Sequence, residues 1–146
     1  MSRHSEILWT DGSWNPITGC TKYSAGCLNC YAQRLALRFQ RMGKPKYSHG
    51  FEVALHPTSL DEPLTWKQPC EIFVCSMLDL FHQKVPDDFI QKVFAVMNKA
   101  KQHLFQILTK RSERLLQLSP HLPWTDNIWA GVTVENDKYV CRIDDL

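Results

Sequence analysis

Three short apolar runs, separated by amphipathic segments, constrain the fold of this chain more than any other feature. The runs are EIFVCS (71–76), LFQILT (104–109) and IWAGVTV (128–134). Continuous apolar runs of this length are typical of parallel strands that are covered on both faces. They recur at steps of about thirty residues, which is the length of a β-α-β unit. The sequence therefore predicts an α/β fold built from parallel β/α repeats.

Helical patterns lie between these runs. The clearest is VPDDFIQKVFAVMNKAKQ (85–102), where Asp87 and Asp88 suit the positive end of a helix dipole. Its apolar face carries Phe89, Ile90, Val93, Phe94, Met97 and Ala100. A shorter helix is predicted for SERLLQL (112–118) with Ser112 as its cap, and an earlier one runs from Cys30 to a stop at Gly43.

The remaining segments give weaker patterns. The first thirty residues read as irregular with a strand near Ser13 to Ile17, and FEVALH (51–56) alternates like a half-buried strand. The final CRIDDL begins a helix that has no cap. We therefore expect residues 1–146 to form a single α/β domain that is the N-terminal portion of a longer fold.

Composition narrows the class of protein and its compartment. A net charge of +2 is too small to indicate a nucleic-acid binder by itself. No apolar stretch is long enough to cross a bilayer, and the first residues, MSRHSEILWTDG, lack the apolar core typical of a signal peptide, so we expect a cytoplasmic protein without a membrane partner. Thiols stay reduced there, and clustered cysteines then indicate metal binding or catalysis. Cys70, Cys75 and Cys141 are dispersed, and we expect each to be a small core residue.

The segment GCTKYSAGCLNCYA (19–32) places three cysteines in a C-x6-C-x2-C pattern: Cys20, Cys27 and Cys30. Four thiolates would close a structural zinc site, whereas three leave one position open. An iron–sulfur cluster of four irons has four corners, so three protein ligands leave one iron free to bind another molecule.

Two other interpretations of these cysteines stay open. The first is a zinc-stabilised nucleic-acid-binding module, with the fourth ligand from His49, His56 or Cys70 and basic contacts from KRSER (110–114). Zinc modules are usually small and loop-rich, whereas most of this chain follows an α/β pattern. The second is a cluster used only for electron transfer or sensing, which would not need polar residues at strand ends.

Four separated motifs carry a resemblance to a known family. WNPITGCTKYSAGCLNCYA (14–32), CSMLDLFH (75–82), QILTKRSERL (106–115) and GVTVEN (131–136) together resemble the phage Gp37/Gp68-type (DUF5131) family of predicted radical S-adenosylmethionine (SAM) proteins. The resemblance runs in order from about Trp9 to the last residue. Because each motif falls in the cysteine loop or at the end of a predicted strand, the match is specific.

The resemblance implies a fold, cofactors and an activity. The fold would be part of a partial (β/α) barrel of radical SAM type, cut short at its C-terminus. The cofactors would be a [4Fe–4S] cluster on Cys20, Cys27 and Cys30 and a SAM molecule bound to the free iron. With one electron from a donor such as a flavodoxin or ferredoxin, SAM would yield methionine and a 5′-deoxyadenosyl radical that takes hydrogen from a substrate.

Two departures from radical SAM proteins in general accompany the resemblance. The usual first gap between cysteines is three residues, and here it is six. Later strands of such a barrel are missing from this sequence, so we expect cluster binding more than complete catalysis. A phage-type relative suggests a nucleic acid or nucleotide substrate by analogy only.

Residues that follow the predicted strands are the candidate cofactor ligands, because ligands of parallel α/β folds bind beyond the carboxyl ends of the strands. They are Ser76, Met77, Asp79, Thr109, Lys110, Arg111, Thr133 and Glu135. In the family, the segment around Ser76 to Asp79 resembles the part near the SAM amino group, and Glu135 suits ribose hydroxyls. The alternative is a structural role for each: Ser76 and Asp79 would cap a helix or turn, residues 109–111 would form a solvated basic turn, and Glu135 would be a surface carboxylate.

Two further residues complete the predicted site. Tyr31 follows the last cysteine, where it would shield the cluster or contact adenine, or else simply pack at a helix start. His82 follows a predicted strand end, where it would act as an acid, a base or a polar contact on the substrate side. The sequence identifies no catalytic residue beyond these.

Overall fold

A computed structural model describes residues 7–146 and shows a mixed α/β fold. The strands are β1 (Gly12–Trp14), β2 (Ile17–Thr18), β3 (Ala54–Leu55), β4 (Glu71–Val74), β5 (Leu104–Thr109) and β6 (Ile128–Val132). The α-helices are α1 (Tyr31–Arg41), α2 (Asp87–Lys99) and α3 (Ser112–Leu118). Short 3-10 helices cover Ala25–Cys27, Pro45–Tyr47, Pro57–Ser59, Glu62–Thr65, Ser119–His121 and Asp137–Ile143. Within the described range, every helix is too short or too polar to cross a membrane.

Four of the strands form one parallel sheet in the order β1-β4-β5-β6. Helix α2 connects β4 to β5 and helix α3 connects β5 to β6, which are the β-α-β units that the apolar runs predicted. The predicted α/β fold with a parallel sheet is therefore confirmed. Strands β2 and β3 form a separate antiparallel pair in which Ile17 lies opposite Leu55.

Helix α2 covers one face of the sheet. Its apolar face and the strand side chains form one core that includes Ile72, Ile90, Val93, Phe94, Met97, Phe105 and Ile107. Trp14 of β1 is fully buried in this core, with its ring centroid 5.9 Å from that of Phe105. Its indole N–H donates to the Ser59 carbonyl at 2.8 Å, so the polar edge of the ring is satisfied.

The opposite face of the sheet is more open. Successive side chains of a strand point to opposite faces, so Gln106 and Leu108 face away from the core that holds Phe105 and Ile107. In the register of the sheet, Phe73 and Trp129 flank Gln106. Leu108 is 38% exposed and Trp129 is 59% exposed. This face is therefore open near Leu108 and Trp129, whereas Phe73 of β4 is buried and packs against Trp9.

Two strand predictions were wrong in their bounds. The strand expected near Ser13 to Ile17 is divided into β1 and β2, because Pro16 lies between them and has no N–H for a ladder. In FEVALH only Ala54–Leu55 is a strand, and it pairs with β2 at the side of the main sheet. The alternation of apolar and polar residues in a segment does not show how many of those residues will pair with a neighbouring strand.

Three predictions for other segments were also wrong. Ser112 does not cap α3 but is its first residue, and its hydroxyl donates to Asp145 Oδ2 at 2.6 Å. Cys141 is exposed, whereas Cys75 is buried as expected. The final segment forms a 3-10 helix, Asp137–Ile143, where the start of a longer helix was expected.

Candidate functional site

The ends of strands β4, β5 and β6 border a cleft of about 460 Å³, which we call the cysteine cleft. Parallel strands end at the same edge of a sheet, so residues that follow different strands meet there. The cleft is lined by Cys20, Cys27, Cys30, Tyr31, Ser76, Met77, Asp79, Lys110, Arg111 and Thr133. Thr109 and Glu135 are outside this lining. The structure thus gathers the cysteine loop and most of the strand-end residues at one edge.

The backbone at Gly19 fixes the position of Cys20. Gly19 has a φ of +82°, and a Cβ atom there would lie 1.9 Å from the carbonyl oxygen of Glu52. Its N–H donates to the Met77 carbonyl at 3.2 Å, and the Cys20 N–H donates to the Phe51 carbonyl at 3.1 Å. Only glycine fits this position, and it holds the first cysteine against the segment that follows β4.

Arg111 lies beside the Cys20 thiol. Its Nη1 is 3.8 Å from Cys20 Sγ, and its Nη2 donates to the Thr21 carbonyl at 3.2 Å. The guanidinium carbon also lies 4.8 Å from the centroid of the Tyr23 ring, a cation–π contact. Burial raises the pKa of the Cys20 thiol, and the charge of Arg111 opposes that rise. Arg111 is therefore placed to stabilise the thiolate that a metal requires.

Cys27 and Cys30 occupy the outer part of the loop. The backbone N–H of Tyr23 donates to Cys27 Sγ at 3.5 Å. Partial burial opposes ionisation, but backbone N–H groups of Ser24 and Tyr23 outweigh it and lower the pKa of Cys27. Cys30 directly precedes α1, and its side chain makes no capping hydrogen bond to the helix. Backbone dipoles of the loop therefore favour the thiolate of Cys27.

The three thiols are not arranged around a single ion. In residues 7–146, no group of three His, Cys, Asp or Glu side chains is placed to hold one metal ion. Zinc would bring its thiolates to about 3.8 Å from one another, because a Zn–S bond is about 2.3 Å long and the geometry is tetrahedral. In a cluster, each thiolate binds a different iron, so the sulfurs stay farther apart. A cluster would therefore need the three thiols farther apart than one zinc ion would.

The residues suggested as a fourth zinc ligand lie elsewhere. Cys70 Sγ is 3.3 Å from His103 Nδ1, just before β4 and thus at the opposite end of the sheet. His56 Nε2 is 2.8 Å from Thr18 Oγ1. Neither residue lines the cysteine cleft, and His49 does not line it either. The zinc-module interpretation therefore gains no support from this arrangement.

Asp79 joins the ends of β4 and β5. Its Oδ1 accepts from the Thr109 hydroxyl at 2.6 Å and from the Phe81 N–H at 3.1 Å. Its Oδ2 accepts from the Lys110 N–H at 2.8 Å and lies 3.3 Å from Arg111 Nη1. A carboxylate has about four acceptor positions, and protein donors take all of them here. Asp79 and Thr109 thus hold Arg111 in place more than they offer atoms to a ligand.

Tyr31 and Ser76 meet at the rim of the cleft. The Tyr31 hydroxyl donates to the Ser76 carbonyl at 2.7 Å, which ties the start of α1 to the end of β4. Asn15 supports the same segment from behind, because its Oδ1 accepts from the Met77 N–H at 3.0 Å. The Ser76 side chain lies 3.1 Å from Asn15 Nδ2. The Ser76–Met77 segment is therefore held on both sides.

Glu135 faces the cysteine loop and not the cleft. Its Oε1 accepts from the Ser24 hydroxyl at 2.7 Å, and its Oε2 accepts from Arg142 Nη1 at 2.8 Å. A Cβ atom on Gly26 would lie 2.6 Å from Glu135 Cγ, so the loop passes directly over this side chain. Burial would raise the pKa of Glu135, but the bond from Ser24 and the charge of Arg142 outweigh it and lower that pKa. The expected contact with ribose hydroxyls has no support in this geometry.

Lys110 and Thr133 are the remaining strand-end candidates, and both line the cleft. Lys110 Nζ lies 3.7 Å from Glu135 Oε1. The Thr133 N–H donates to the Thr109 carbonyl at 2.9 Å, and the Thr133 carbonyl accepts from Arg142 Nη1 at 2.6 Å. The backbone of Thr133 is therefore fully used by the fold.

His82 is buried under the cysteine loop and does not line the cleft. Its Nε2 is 2.8 Å from Thr21 Oγ1, and its Nδ1 accepts from the Lys84 N–H at 3.1 Å. The second bond assigns the proton to Nε2 in a neutral ring. Burial and the charge of Arg111 lower the pKa of His82 to about 4. His82 therefore supports the cysteine loop as a neutral hydrogen-bond donor to Thr21.

Two residues of this region escaped the sequence analysis. Asn15 follows β1 directly. The expectation that ligands bind beyond the carboxyl ends of the strands would therefore identify it, once β1 is placed at Gly12–Trp14. Arg142 binds Glu135 and lies 4.2 Å from the centroid of the Tyr139 ring. Nothing in the local sequence singles it out, because its partners come from other segments.

Comparison with known proteins matches the chain to a family model. The model of a family described as a protein of unknown function (DUF5131) matches residues 4–146, which is nearly the whole chain. No curated protein and no solved structure matches it.

Proposed function

This chain belongs to the DUF5131 family of proteins of unknown function, and we propose that it is a radical SAM protein of the phage Gp37/Gp68 type. The observation that carries the proposal is the convergence of three thiols, those of Cys20, Cys27 and Cys30, on one cleft at the carboxyl edge of a parallel sheet. Cys75 also lines the cleft, but burial strongly raises the pKa of its thiol, which disfavours it as a ligand.

A [4Fe–4S] cluster fits the residues of the cysteine cleft. Cys20, Cys27 and Cys30 would hold three of its irons, and the volume of about 460 Å³ has room for a second small molecule. When bound, the cluster supplies one electron that breaks the sulfonium C–S bond of SAM and releases methionine and a 5′-deoxyadenosyl radical.

The protein would contribute binding, charge and exclusion of water. Arg111 supports the thiolate of Cys20 and is itself fixed by Asp79. Lys110, Thr133, Ser76, Met77 and Tyr31 line the same cleft and are the proposed contacts of SAM. Among these, Lys110 carries the positive charge that suits a carboxylate such as that of methionine.

The fold is consistent with part of a (β/α) barrel, and we include this in the proposal. Helix α2 covers the face of the sheet that carries Phe105 and Ile107. Phe73 and Leu108, on the other face, line the cysteine cleft. A parallel sheet with helices outside, and a ligand inside at the carboxyl ends of the strands, is the arrangement of such barrels.

The electron would come from a separate donor such as a flavodoxin or ferredoxin. The cysteine loop lies at the surface, where Leu28 is 69% exposed between two of the cysteines. A donor can therefore approach the proposed cluster from the loop side.

The test is anaerobic reconstitution of the full chain with iron and sulfide. We expect about four irons per chain, from one cluster of four irons, and an EPR spectrum of the reduced cluster that changes when SAM is added. The variant in which Cys20, Cys27 and Cys30 are all replaced by alanine should lose the iron. Cys141→Ala is the matched control, because Cys141 is exposed and outside the cleft.

Two results would contradict the proposal. One is tight zinc binding with no cluster, which would favour the zinc-stabilised module. The other is a cluster whose spectrum is unaffected by SAM, which would favour electron transfer or sensing.

A further inference from the structure

We propose that a second cleft, next to the cysteine cleft, binds a nucleotide as the substrate. The lysine cleft, as we call it, has a volume of about 510 Å³ and is lined by Asn15, Phe39, Lys44, Lys46, Tyr47 and Glu62, among others. Pockets for small molecules typically have volumes of roughly 300–1,000 Å³. The assignment of this ligand as the substrate rests on the proposed function, whereas the binding itself does not.

The two clefts share a wall. Ser76 and Met77 line both of them. Helix α1 borders both as well, with Tyr31 at the cysteine cleft and Phe39 at the lysine cleft. A reactive group formed in one cleft would therefore be one chain segment away from a ligand in the other, and Asn15 holds that segment through the Met77 N–H.

An aromatic surface lies on one side of the lysine cleft. The ring centroids of Phe39 and Tyr47 are 5.0 Å apart, and the ring planes are tilted by 45°. Both side chains are only partly buried, so their rings are not fully used by the core. Half-buried aromatic rings beside a cleft are suited to stacking with a planar base.

The lysine cleft has a net positive charge, because its described lining residues include Lys44 and Lys46 but a single carboxylate, that of Glu62. Lys46 Nζ donates to the Ser59 hydroxyl at 3.2 Å, and across residues 7–146 it forms no ion pair. Lys44 is exposed beside it. Burial lowers the pKa of Lys46, and the nearby charge of Glu62 opposes that shift. One carboxylate cannot balance two ammonium groups, so a phosphate would be favoured beside Lys44 and Lys46.

An acceptor without a donor completes the set. Glu62 lines the cleft, and its Oε2 is buried with no hydrogen-bond partner from the described chain. A buried acceptor left unpaired is costly, so a ligand N–H would be favoured there after a small rotation of the side chain. The ligand would therefore carry a planar ring, an anionic group and an N–H donor. A nucleotide whose base has an exocyclic amino group combines all three. We expect AMP to bind better than UMP, which has no such group.

Two ligands would carry these groups: a free nucleotide, and a nucleotide within a nucleic-acid strand. The experiment is isothermal titration of the full chain, without and with the reconstituted cluster. The probes are AMP, UMP, adenosine, inorganic phosphate and a single-stranded oligonucleotide of adenosines. A strand that binds while AMP does not would assign the site to a nucleotide within a strand, provided that the binding depends on Lys46.

The variants test the contribution of the Lys46 charge separately from that of the Tyr47 ring. Lys46→Ala should weaken AMP about tenfold, the usual loss for a charge-assisted hydrogen bond, and leave adenosine nearly unchanged. Lys46→Arg keeps the charge and should retain most of the affinity. Tyr47→Leu should weaken AMP and adenosine alike, because it removes the stacking surface. Lys101→Ala, in the exposed turn before β5, is the matched control and should have no effect.

Three outcomes would overturn the inference. They are no binding of AMP or of the oligonucleotide to the folded chain, binding that Lys46→Ala leaves unchanged, and displacement of AMP by SAM, which would place AMP in the cysteine cleft. None of the variants alters a cysteine. A chain that binds AMP through Lys46 but assembles no cluster would therefore contradict the proposed function and the substrate role, and would leave the nucleotide site established.

Discussion

Arg111 Nη1 lies 3.3 Å from Asp79 Oδ2, and the two side chains are 7% and 9% exposed, respectively. The pair connects the segment after β4 with the start of α3, and Arg111 continues to Cys20 and Thr21 in the cysteine loop. Three segments that are distant in the sequence are therefore joined through one carboxylate.

The first prediction concerns this carboxylate. Asp79→Asn removes the charge that pairs with Arg111 and should lower the free energy of unfolding by about 3 kcal/mol, since it leaves a buried cation unpaired. Urea denaturation measures this change. Asp88→Asn is the control: Asp88 pairs with Lys92 on the exposed surface of α2, and its loss should cost about 0.5 kcal/mol or less. Equal losses in the two variants would contradict a structural role for Asp79.

The second prediction concerns two glycines with positive φ. Gly43→Ala should cost about 1 kcal/mol, because φ is +68° but the space around a Cβ atom is empty. Gly19→Ala has the same backbone cost and also a clash with the Glu52 carbonyl, so we expect at least twice the loss. Urea denaturation of both variants checks the difference. A smaller loss for Gly19→Ala would mean that the cysteine loop has another conformation.

The third prediction concerns the contact of Glu135 with the loop. Glu135→Gln removes the charge that faces the buried Arg142, and it weakens the bond from Ser24. Hydrogen exchange at Gly26 and Cys27 should become about tenfold faster, which corresponds to a loss of about 1.4 kcal/mol of local stability. Glu113→Gln, at an exposed position in the first turn of α3, should not change it. Unchanged exchange in Glu135→Gln would show that the loop does not depend on this carboxylate.

The fourth prediction concerns pH. Burial and the charge of Arg111 lower the pKa of His82 to about 4 from its ordinary 6.5, so the unfolded chain binds the proton more readily than the folded one. The stability that this neutral ring contributes is present above about pH 6.5 and is lost as the pH falls toward 4, by at most about 1.4 kcal/mol per pH unit.

Urea denaturation between pH 6.5 and pH 5 measures this slope, largely above the range where carboxylates titrate. His82→Gln should reduce the slope, and His121→Gln should leave it unchanged because His121 is exposed. An unaltered slope in His82→Gln would assign the pH dependence to another group.

The parts of the fold that depend on local pattern could be predicted from the sequence. The apolar runs at β4, β5 and β6 and the apolar face of α2 follow from periodicity alone, and so does the parallel sheet. Ser76, Lys110 and Thr133 each follow one of these strands. They are therefore expected at one edge of the sheet, because the carboxyl ends of parallel strands lie at the same edge.

The parts that depend on pairing between distant segments could not be predicted. Strand β1 has only three residues and becomes part of the sheet by pairing with β4, and no local signal specifies that partner. The partners of Glu135 and Asp79 likewise depend on the register and spacing of other strands. For this reason the sequence alone does not predict the contact of Glu135 with the cysteine loop.

The bond between Ser24 and Glu135 spans 111 residues of sequence, which has a consequence for how the protein is made. At translation rates of roughly 5–20 residues per second, the cysteine loop is synthesised about 6 to 22 seconds before Glu135. During that interval the three thiols are on a nascent chain whose last strand has not yet joined the sheet. They are then accessible to metal ions and oxidants, so a cluster of the proposed kind could already bind before Glu135 fixes the loop.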